Sequence, residues 1–438
     1  MTSNPHDFVN YDESKVFPYS LEDPLVFADG RKVASPAEWQ ARRREILDIF
    51  ASKMYGREPP PPEALQVELV EEGTEFAGFA IRRQYRIRFR ADGTGPYLDW
   101  LVLIPNRVQG NAAIAGDDGR ATCENKGKVP VILFLNYRGN HALLSSPEVI
   151  IPDNVWSHAE QSRQDGTHSL RPEMRGAERN TSFRYTFPIE VMLARGYAVM
   201  SCCYCQVSPD VEVRNGDPLD LAWTGVFDLW KDQPTDAPDR ITTLGAWAWA
   251  LSRGLDLAER IPEIDATRAV ATGCSRLGKT ALIAGARDER FAVTVPNQTG
   301  GGGAPLNKRF FGETIATEQF SFPHWFCPAY FEYAGRESEL PFDQHLFLSC
   351  IAPRGLLVEG FDMDWFDTKG EFLACRAASP AWEFLGTPGL PTADFPENYS
   401  TAAIGKRLGY VRRGGQHGLS AYDWLWMMDF ADGVFASR

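Results

Sequence analysis

The chain has 438 residues, which suits one large α/β domain with insertions or at most two domains. Its composition is that of a globular protein, with 44% hydrophobic and 24% charged residues, and its net charge of −13 argues against a nucleic-acid partner. No run of 18 apolar residues is present, so no membrane span is expected, and residues 1–7 lack the basic and apolar regions of a secretory signal.

Strand and helix patterns alternate along most of the chain. A helical pattern near residues 39–50 precedes strands within 65–104, and a glycine- and aspartate-rich loop follows at 109–127. The later elements are apolar strands, a polar irregular insertion at 142–188 and an amphipathic helix at 244–259; the strands lie at 129–135, 196–201, 268–272, 291–295 and 355–358. Short apolar strands that alternate with helices predict an α/β fold with a mostly parallel sheet covered on both faces.

The octapeptide at 273–280, Gly-Cys-Ser-Arg-Leu-Gly-Lys-Thr, fits two different chemistries. It matches the phosphate-binding loop G-x-x-x-x-G-K-[ST], which would indicate an NTPase. It also fits a nucleophile elbow, in which Ser275 stands on a sharp turn between a strand and a helix. Against the first interpretation, phosphate loops usually follow the first strand of a domain. Against the second, Leu277 holds the usual place of the second glycine, which comes one residue later at Gly278.

Histidines after the elbow provide candidates for the base of a serine hydrolase, in which the nucleophile, the acid and the histidine follow in that order. His417 lies in a glycine-bracketed loop near the end of the chain, where glycines let a loop present an imidazole to a cleft. His345 begins an apolar helix and is expected to make a structural hydrogen bond. His324 could be structural or could line the cleft.

The cysteines offer a weak alternative site. Cys202, Cys203 and Cys205 crowd one predicted strand, but they lack paired C-x-x-C spacing and a nearby histidine. Buried free thiols explain them better than zinc, and no metal or organic cofactor is expected.

Several ordered motifs resemble the glucuronoyl esterases, family 15 of the carbohydrate esterases. They are Met54-Tyr-Gly-Arg-Glu-Pro, Leu135-Asn-Tyr-Arg-Gly-Asn-His, Ala246-Trp-Ala-Trp, Gly273-Cys-Ser-Arg-Leu-Gly-Lys, Asn297-Gln-Thr-Gly-Gly-Gly-Gly-Ala, Phe311-Gly-Glu-Thr, Phe322-Pro-His-Trp-Phe-Cys, Asp343-Gln-His and Ala352-Pro-Arg. The elbow motif of this family accounts for the displaced second glycine. The resemblance implies an α/β-hydrolase fold, a three-layer αβα sandwich with insertions that shape the cleft. It places an N-terminal extension at 1–34 and a single catalytic domain at 35–438.

The resemblance also implies roles for individual residues. Ser275 would be the nucleophile, His417 the general base, and Arg276 the group that stabilises the oxyanion. Lys279, on what is expected to be the exposed first turn of the helix after the elbow, would bind sugar hydroxyls. The further substrate contacts that it implies are Glu313, Trp365, Gln319, Gln298 and His324.

The acid of the triad is the point of departure from the family pattern. Some members have a glutamate 23 residues after the serine, where this chain has the neutral Gln298. Other members have the acid after the next strand, where this chain offers Asp364 as the first candidate and Asp362 as the second. Asp367 is a weaker third. We expect one of the first two carboxylates to contact the ring nitrogen of His417 that faces away from Ser275.

The substrate implied by the resemblance is the ester between 4-O-methyl-D-glucuronic acid of glucuronoxylan and lignin alcohols. Two alternatives remain: an esterase for another carbohydrate ester such as acetylated xylan, and a catalytically weak homologue that binds carbohydrate. We expect a monomer with no nucleic-acid or membrane partner. Members of this family are typically secreted or periplasmic, although this chain shows no signal peptide.

Overall fold

The computed structural model describes residues 4–106, 127–157, 166–179, 185–234 and 236–437, and every structural statement below concerns these residues. Most of the loop expected at 109–127, and parts of the insertion expected at 142–188, lie outside them. The described strands form one nine-stranded sheet in the order β1-β2-β3-β5-β4-β6-β7-β8-β9. Their bounds are Gln66–Glu75, Ala80–Arg88, Tyr97–Pro105, Val129–Asn136, Ala198–Cys203, Ile264–Cys274, Phe291–Asn297, Gly355–Phe361 and Leu408–Arg413, for β1 to β9.

Helices lie in the connections between the successive parallel strands from β4 to β9. The described α-helices, α1 to α10 in chain order, are Pro36–Lys53, Ile189–Ala194, Tyr204–Val207, Thr243–Ala258, Arg276–Arg287, Ile315–Ser321, Pro328–Phe331, Gln344–Ser349, Thr368–Phe384 and Ala421–Ala436. Strands β1, β2, β3 and β5 pair antiparallel, whereas β5, β4, β6, β7, β8 and β9 pair parallel. The expected α/β class and mostly parallel sheet are therefore confirmed. Strand β9, which leads into the His417 loop, was not predicted.

Strand β4 is apolar from Val129 to Leu135 because both of its faces are covered. All of its residues are buried, and successive side chains enter opposite core layers. Val131 and Leu133 belong to the layer that contains helix α4 and its Trp247. Ile132 and Phe134 belong to the layer beneath the C-terminal helix α10. A strand that is covered on both faces needs apolar residues at every position, which is the pattern predicted for a parallel sheet.

The N-terminal segment lies along the domain. The carbonyl of Asn10 accepts a hydrogen bond from the backbone N–H of Gly312 at 3.0 Å. Glu13 forms ion pairs with Arg309 at 2.7 Å and with Lys369 at 2.8 Å. These contacts bring the start of the chain to the loops that border the candidate site.

Candidate active site

Ser275 occupies a sharp turn between strand β6 and helix α5. Its backbone has φ 60° and ψ −130°, a conformation that a residue with a side chain rarely adopts. A Cβ atom at Gly273 would lie 2.3 Å from the carbonyl oxygen of Leu277, and one at Gly278 would lie 2.6 Å from that of Asn297. Both positions therefore require glycine, and the second glycine of this elbow serves the contact between α5 and the end of β7.

The same turn does not have the form of a phosphate-binding loop. Only Ser275 separates β6 from α5, and its carbonyl already accepts hydrogen bonds from Gly278 and Lys279. The lysine that would contact a nucleotide is instead paired with carboxylates. These contacts favour the nucleophile elbow over the NTPase interpretation.

A cavity of about 460 Å³ opens at Ser275, at the carboxyl end of the parallel strands. It brings together six of the residues singled out in the sequence: Ser275, Arg276, Lys279, Glu313, Trp365 and His417. It is also lined by residues that the sequence did not single out, among them His6, Arg214, Trp325 and Phe366. Gln319 is exposed and lies outside the lining, whereas Gln298 and His324 are buried behind it.

The partner of His417 is Gln298. The Nδ1 atom of His417 lies 2.7 Å from the Oε1 atom of Gln298, at the position where a triad places its acid. The amide is oriented by Gly418, because Oε1 accepts from the backbone N–H of Gly418 at 3.0 Å and Nε2 donates to its carbonyl at 2.6 Å. With Oε1 fixed in this way, Nδ1 of His417 must carry the proton. The other ring nitrogen of a neutral His417 is then free of a proton, as a general base requires.

The expected contact between His417 and an aspartate is therefore wrong. Asp362 accepts hydrogen bonds from Arg412 and Asn398, both at 2.9 Å. Asp364 is exposed at the start of a short 3-10 helix. Asp367 pairs with Arg309 at 2.8 Å and caps helix α9. Asp362 and Asp367 thus have other partners and Asp364 faces solvent, and the neutral amide at the end of β7 meets the imidazole.

Aromatic rings surround the imidazole of His417. The ring of Phe366 is stacked on it, with a centroid separation of 4.5 Å and an interplanar angle of 30°. Tyr185 approaches edge-on at 6.5 Å. A phenyl face attracts a cation, so Phe366 would stabilise an imidazolium without a formal negative charge.

Lys279 is buried, which corrects the expectation of an exposed first turn. Its side chain is only 2% exposed, and Nζ lies 3.2 Å from Glu313 and 3.2 Å from Glu318. The ammonium also stands 4.7 Å from the centre of the Trp325 ring. Burial raises the pKa of Glu318 to about 8, although the charge of Lys279 opposes that shift. Helix α6 carries Glu318 over the first turn of α5, and this packing was not visible in the sequence.

Arg276 is held by a group of buried residues that includes the unpredicted Asp210. A carboxylate oxygen of Asp210 accepts a hydrogen bond from Nη1 of Arg276. The other oxygen accepts from Nε1 of Trp325 at 2.9 Å and faces Nε2 of His324 at 3.1 Å. His324, predicted as either structural or cleft-lining, is thus a buried partner of Asp210. Burial lowers its pKa despite the hydrogen bond to that carboxylate, which favours a neutral ring.

Trp365 and His6 line the same cavity. The two rings are stacked, with centroids 5.4 Å apart and planes within 9° of parallel. Nε2 of His6 lies 3.4 Å from the hydroxyl of Ser321. His6 belongs to the N-terminal extension, far along the chain from the other cavity residues, and no local pattern marks it as part of the site.

The described residues contain no cluster of metal ligands. Within those ranges, no group of three or more His, Cys, Asp or Glu side chains is arranged to hold a metal ion. Cys202 and Cys203 on β5 and Cys205 on helix α3 are buried free thiols. None of the described helices is both long and apolar enough to cross a membrane.

Comparison with known proteins finds carbohydrate esterases and glucuronoyl esterases. Residues 227–386 match the family model described as "Glucuronyl esterase, fungi". The chain is 34% identical to "Carbohydrate esterase MZ0003" of an unknown prokaryotic organism, over 98% of this chain and 93% of that protein. It is 36% identical to a 4-O-methyl-glucuronoyl methylesterase of Phanerochaete carnosa, over 84% of this chain and 73% of the relative. Among solved structures, a glucuronoyl esterase from Solibacter usitatus superposes with a TM-score of 0.83 at 33% identity, covering 97% of this chain and all of the other.

The parallel sheet, the elbow at Ser275 and the histidine from the last loop define a serine esterase of the α/β-hydrolase class. The sheet order and the order Ser275 before His417 follow the pattern of that class. With relatives this similar over nearly its whole length, the chain belongs to the glucuronoyl esterases, carbohydrate esterase family 15.

Proposed function

We propose that this protein hydrolyses esters of (4-O-methyl-)D-glucuronic acid, such as those that join glucuronoxylan to lignin alcohols. The observation that carries the proposal is the shared cavity, in which Ser275 and His417 lie beside Arg276, Lys279 and Glu313. Relatives named 4-O-methyl-glucuronoyl methylesterase support the same substrate class. We expect the protein to act as a monomer.

Catalysis would proceed through an acyl-enzyme on Ser275. His417 takes the proton of the hydroxyl while Oγ attacks the ester carbon. The tetrahedral oxyanion is stabilised by Arg276 and by N–H groups at the start of helix α5. When the C–O bond to the alcohol breaks, His417 returns the proton to the departing oxygen. Water then attacks the acyl carbon by the same route, which releases the glucuronic acid and restores Ser275.

Lys279 and Glu313 supply sugar recognition in this proposal. Sugar hydroxyls both donate and accept hydrogen bonds, so a paired ammonium and carboxylate can satisfy neighbouring hydroxyls. The 3.2 Å contact between the two side chains holds them together at the cavity wall. Burial of Lys279 limits its rotamers, so less conformational entropy is lost when the substrate binds.

The decisive experiment compares turnover of benzyl glucuronate with that of an acetylated xylo-oligosaccharide. We expect a clear preference for the glucuronate, and Ser275→Ala should reduce its turnover to below a few per cent of the wild-type value. A preference for the acetyl ester would instead support the acetylxylan alternative. No reaction of Ser275 with a fluorophosphonate probe would support a binding protein.

Lys279→Met tests the recognition of the sugar. On benzyl glucuronate the variant should lose much of kcat/KM, through KM if the contact is equal in ground and transition states. On an aryl acetate, which has no sugar, the loss should be much smaller. Equal losses on the two substrates would show that Lys279 acts structurally or through general electrostatics.

A further inference from the structure

Asp210 is a buried carboxylate behind the cavity, and its partners come from separate parts of the chain. Its side chain has no measurable solvent exposure. It contacts Arg276 at the start of helix α5 and the pair His324 and Trp325 after helix α6. A carboxylate in such surroundings is strongly destabilised unless it is paired and hydrogen-bonded. Its partners here therefore stabilise the negative charge of Asp210 and fix the orientation of the carboxylate.

The guanidinium of Arg276 is constrained on an edge and on a face. At the edge, Asp210 accepts a hydrogen bond from Nη1 of Arg276. Phe322 and Trp325, whose rings are stacked 3.9 Å apart, have their centres 4.7 and 4.6 Å from its Cζ atom. Nε of Arg276 is buried and has no hydrogen-bond partner among the described residues. Burial alone would lower the pKa of Arg276, but the charge of Asp210 raises it above its ordinary value.

We propose that Asp210 is a positioning residue for ester hydrolysis, which fixes the guanidinium of Arg276 beside Ser275 so that it meets the developing oxyanion. The inference rests on the proposed function, in which Arg276 stabilises that charge. A long arginine side chain that is free to rotate must lose conformational entropy during the reaction, whereas one that is already held does not. Trp325 belongs to the same arrangement, since its indole N–H bonds Asp210 while its ring contacts Arg276 and Lys279.

Asp210→Asn keeps the volume of the side chain and removes its charge. We expect kcat on benzyl glucuronate to fall by about 10- to 100-fold, somewhat less than the loss typical of removing an oxyanion donor itself. KM should change little, because Lys279 and Glu313, the proposed sugar contacts, are unchanged in this variant. When the same change is made in an Arg276→Ala background, it should lower kcat by less than about 2-fold, since residues that act through one another are not additive.

Asp265→Asn is the matched control. Asp265 is also buried and paired with an arginine, Arg268, at 2.7 Å, but it lies at the opposite end of strand β6 from Ser275. This change should lower thermal stability and leave kcat of the folded enzyme intact. If Asp210→Asn does not fold, Trp325→Phe keeps an aromatic ring and removes only the N–H, and we expect it to lower kcat by about 3- to 10-fold.

The outcomes separate this inference from the function on which it rests. A folded Asp210→Asn enzyme with kcat within 2-fold of wild type would overturn the inference. So would an equal loss in the presence and absence of Arg276. If the wild-type protein does not hydrolyse glucuronate esters but hydrolyses aryl acetates, the proposed function fails. Asp210→Asn, alone and in the Arg276→Ala background, still tests the role of Asp210 on the acetate.

Discussion

At the scale of single residues, Gln298 separates two roles that one carboxylate usually combines. A triad acid selects the tautomer of the histidine, and it also stabilises the imidazolium. The amide of Gln298 performs the first role, because Gly418 fixes its orientation toward His417. It carries no charge for the second. When a triad aspartate is replaced by asparagine, loss of the correct histidine tautomer explains much of the fall in kcat. The orientation of Gln298 in this chain avoids that loss of the tautomer.

Gln298→Glu should therefore raise kcat and lower stability. A carboxylate would balance the charge on His417, but one of its oxygens would replace Nε2, which now lies 2.6 Å from the carbonyl of Gly418. That contact would become repulsive, with a cost of about 1–3 kcal/mol. Steady-state kinetics and thermal unfolding of the same preparation measure the two effects.

Asp364→Asn and Asp362→Asn are the paired controls for that prediction. Both should retain kcat within about 2-fold, because neither carboxylate meets His417. A loss of orders of magnitude in either variant would restore the aspartate as the triad acid. A fall in kcat for Gln298→Glu would show that the charge of the partner does not limit the reaction.

At the scale of elements, the N-terminal extension forms part of the cavity wall. His6→Ala should raise KM for a glucuronate ester, by about 3- to 10-fold for a loss of roughly 0.7–1.4 kcal/mol of binding, because it removes the ring stacked on Trp365. Phe17→Ala is the control on the same segment, since its side chain is 72% exposed and lies outside the lining. Equal kinetics for His6→Ala and the wild type would assign the extension a purely structural role.

The sequence predicted those elements that a short stretch of neighbouring residues specifies. Apolar runs predicted the strands of the parallel sheet. The elbow was predicted because the strand, Ser275 and the helix follow one another directly in the sequence. Asp210 was missed because it lies 65 residues before Ser275, in an irregular stretch, and only the fold joins them. The burial of Lys279 was missed for a similar reason, because a helical position does not reveal that a second helix covers it. Gln298 was noticed, but its contact depends on how the backbone of Gly418 is oriented.

At the scale of the whole molecule, buried glutamates make stability depend on pH. Burial raises the pKa of Glu178 to about 7, that of Glu337 to about 7 and that of Glu318 to about 8. In the unfolded chain these groups ionise near 4.5. Through these three groups the native state binds more protons than the unfolded state between about pH 4.5 and 8, and their contribution to stability falls as the pH rises through that window.

His345 changes the stability in the opposite direction at lower pH. Burial lowers the pKa of His345 from 6.5 to about 4, so its contribution to stability grows as the pH rises from about 4 to 6.5. We therefore expect Tm to decrease between pH 6.5 and pH 8, measured at constant ionic strength. Glu337→Gln should make that decrease smaller. A Tm that rises across this interval would contradict the assignment.

The backbone of Ser275 has a consequence for the lifetime of the folded protein. A side chain in such a sparsely populated conformation costs about 1–3 kcal/mol, and the surrounding structure must hold it there. Ser275→Gly would remove the hydroxyl and relax that strain, whereas Ser275→Ala would remove the hydroxyl alone. Both variants should be inactive, yet the glycine variant should unfold at the higher temperature of the two. The turn that presents Ser275 would then be a source of instability for any residue with a side chain, so selection for thermal resistance alone would favour glycine at this position.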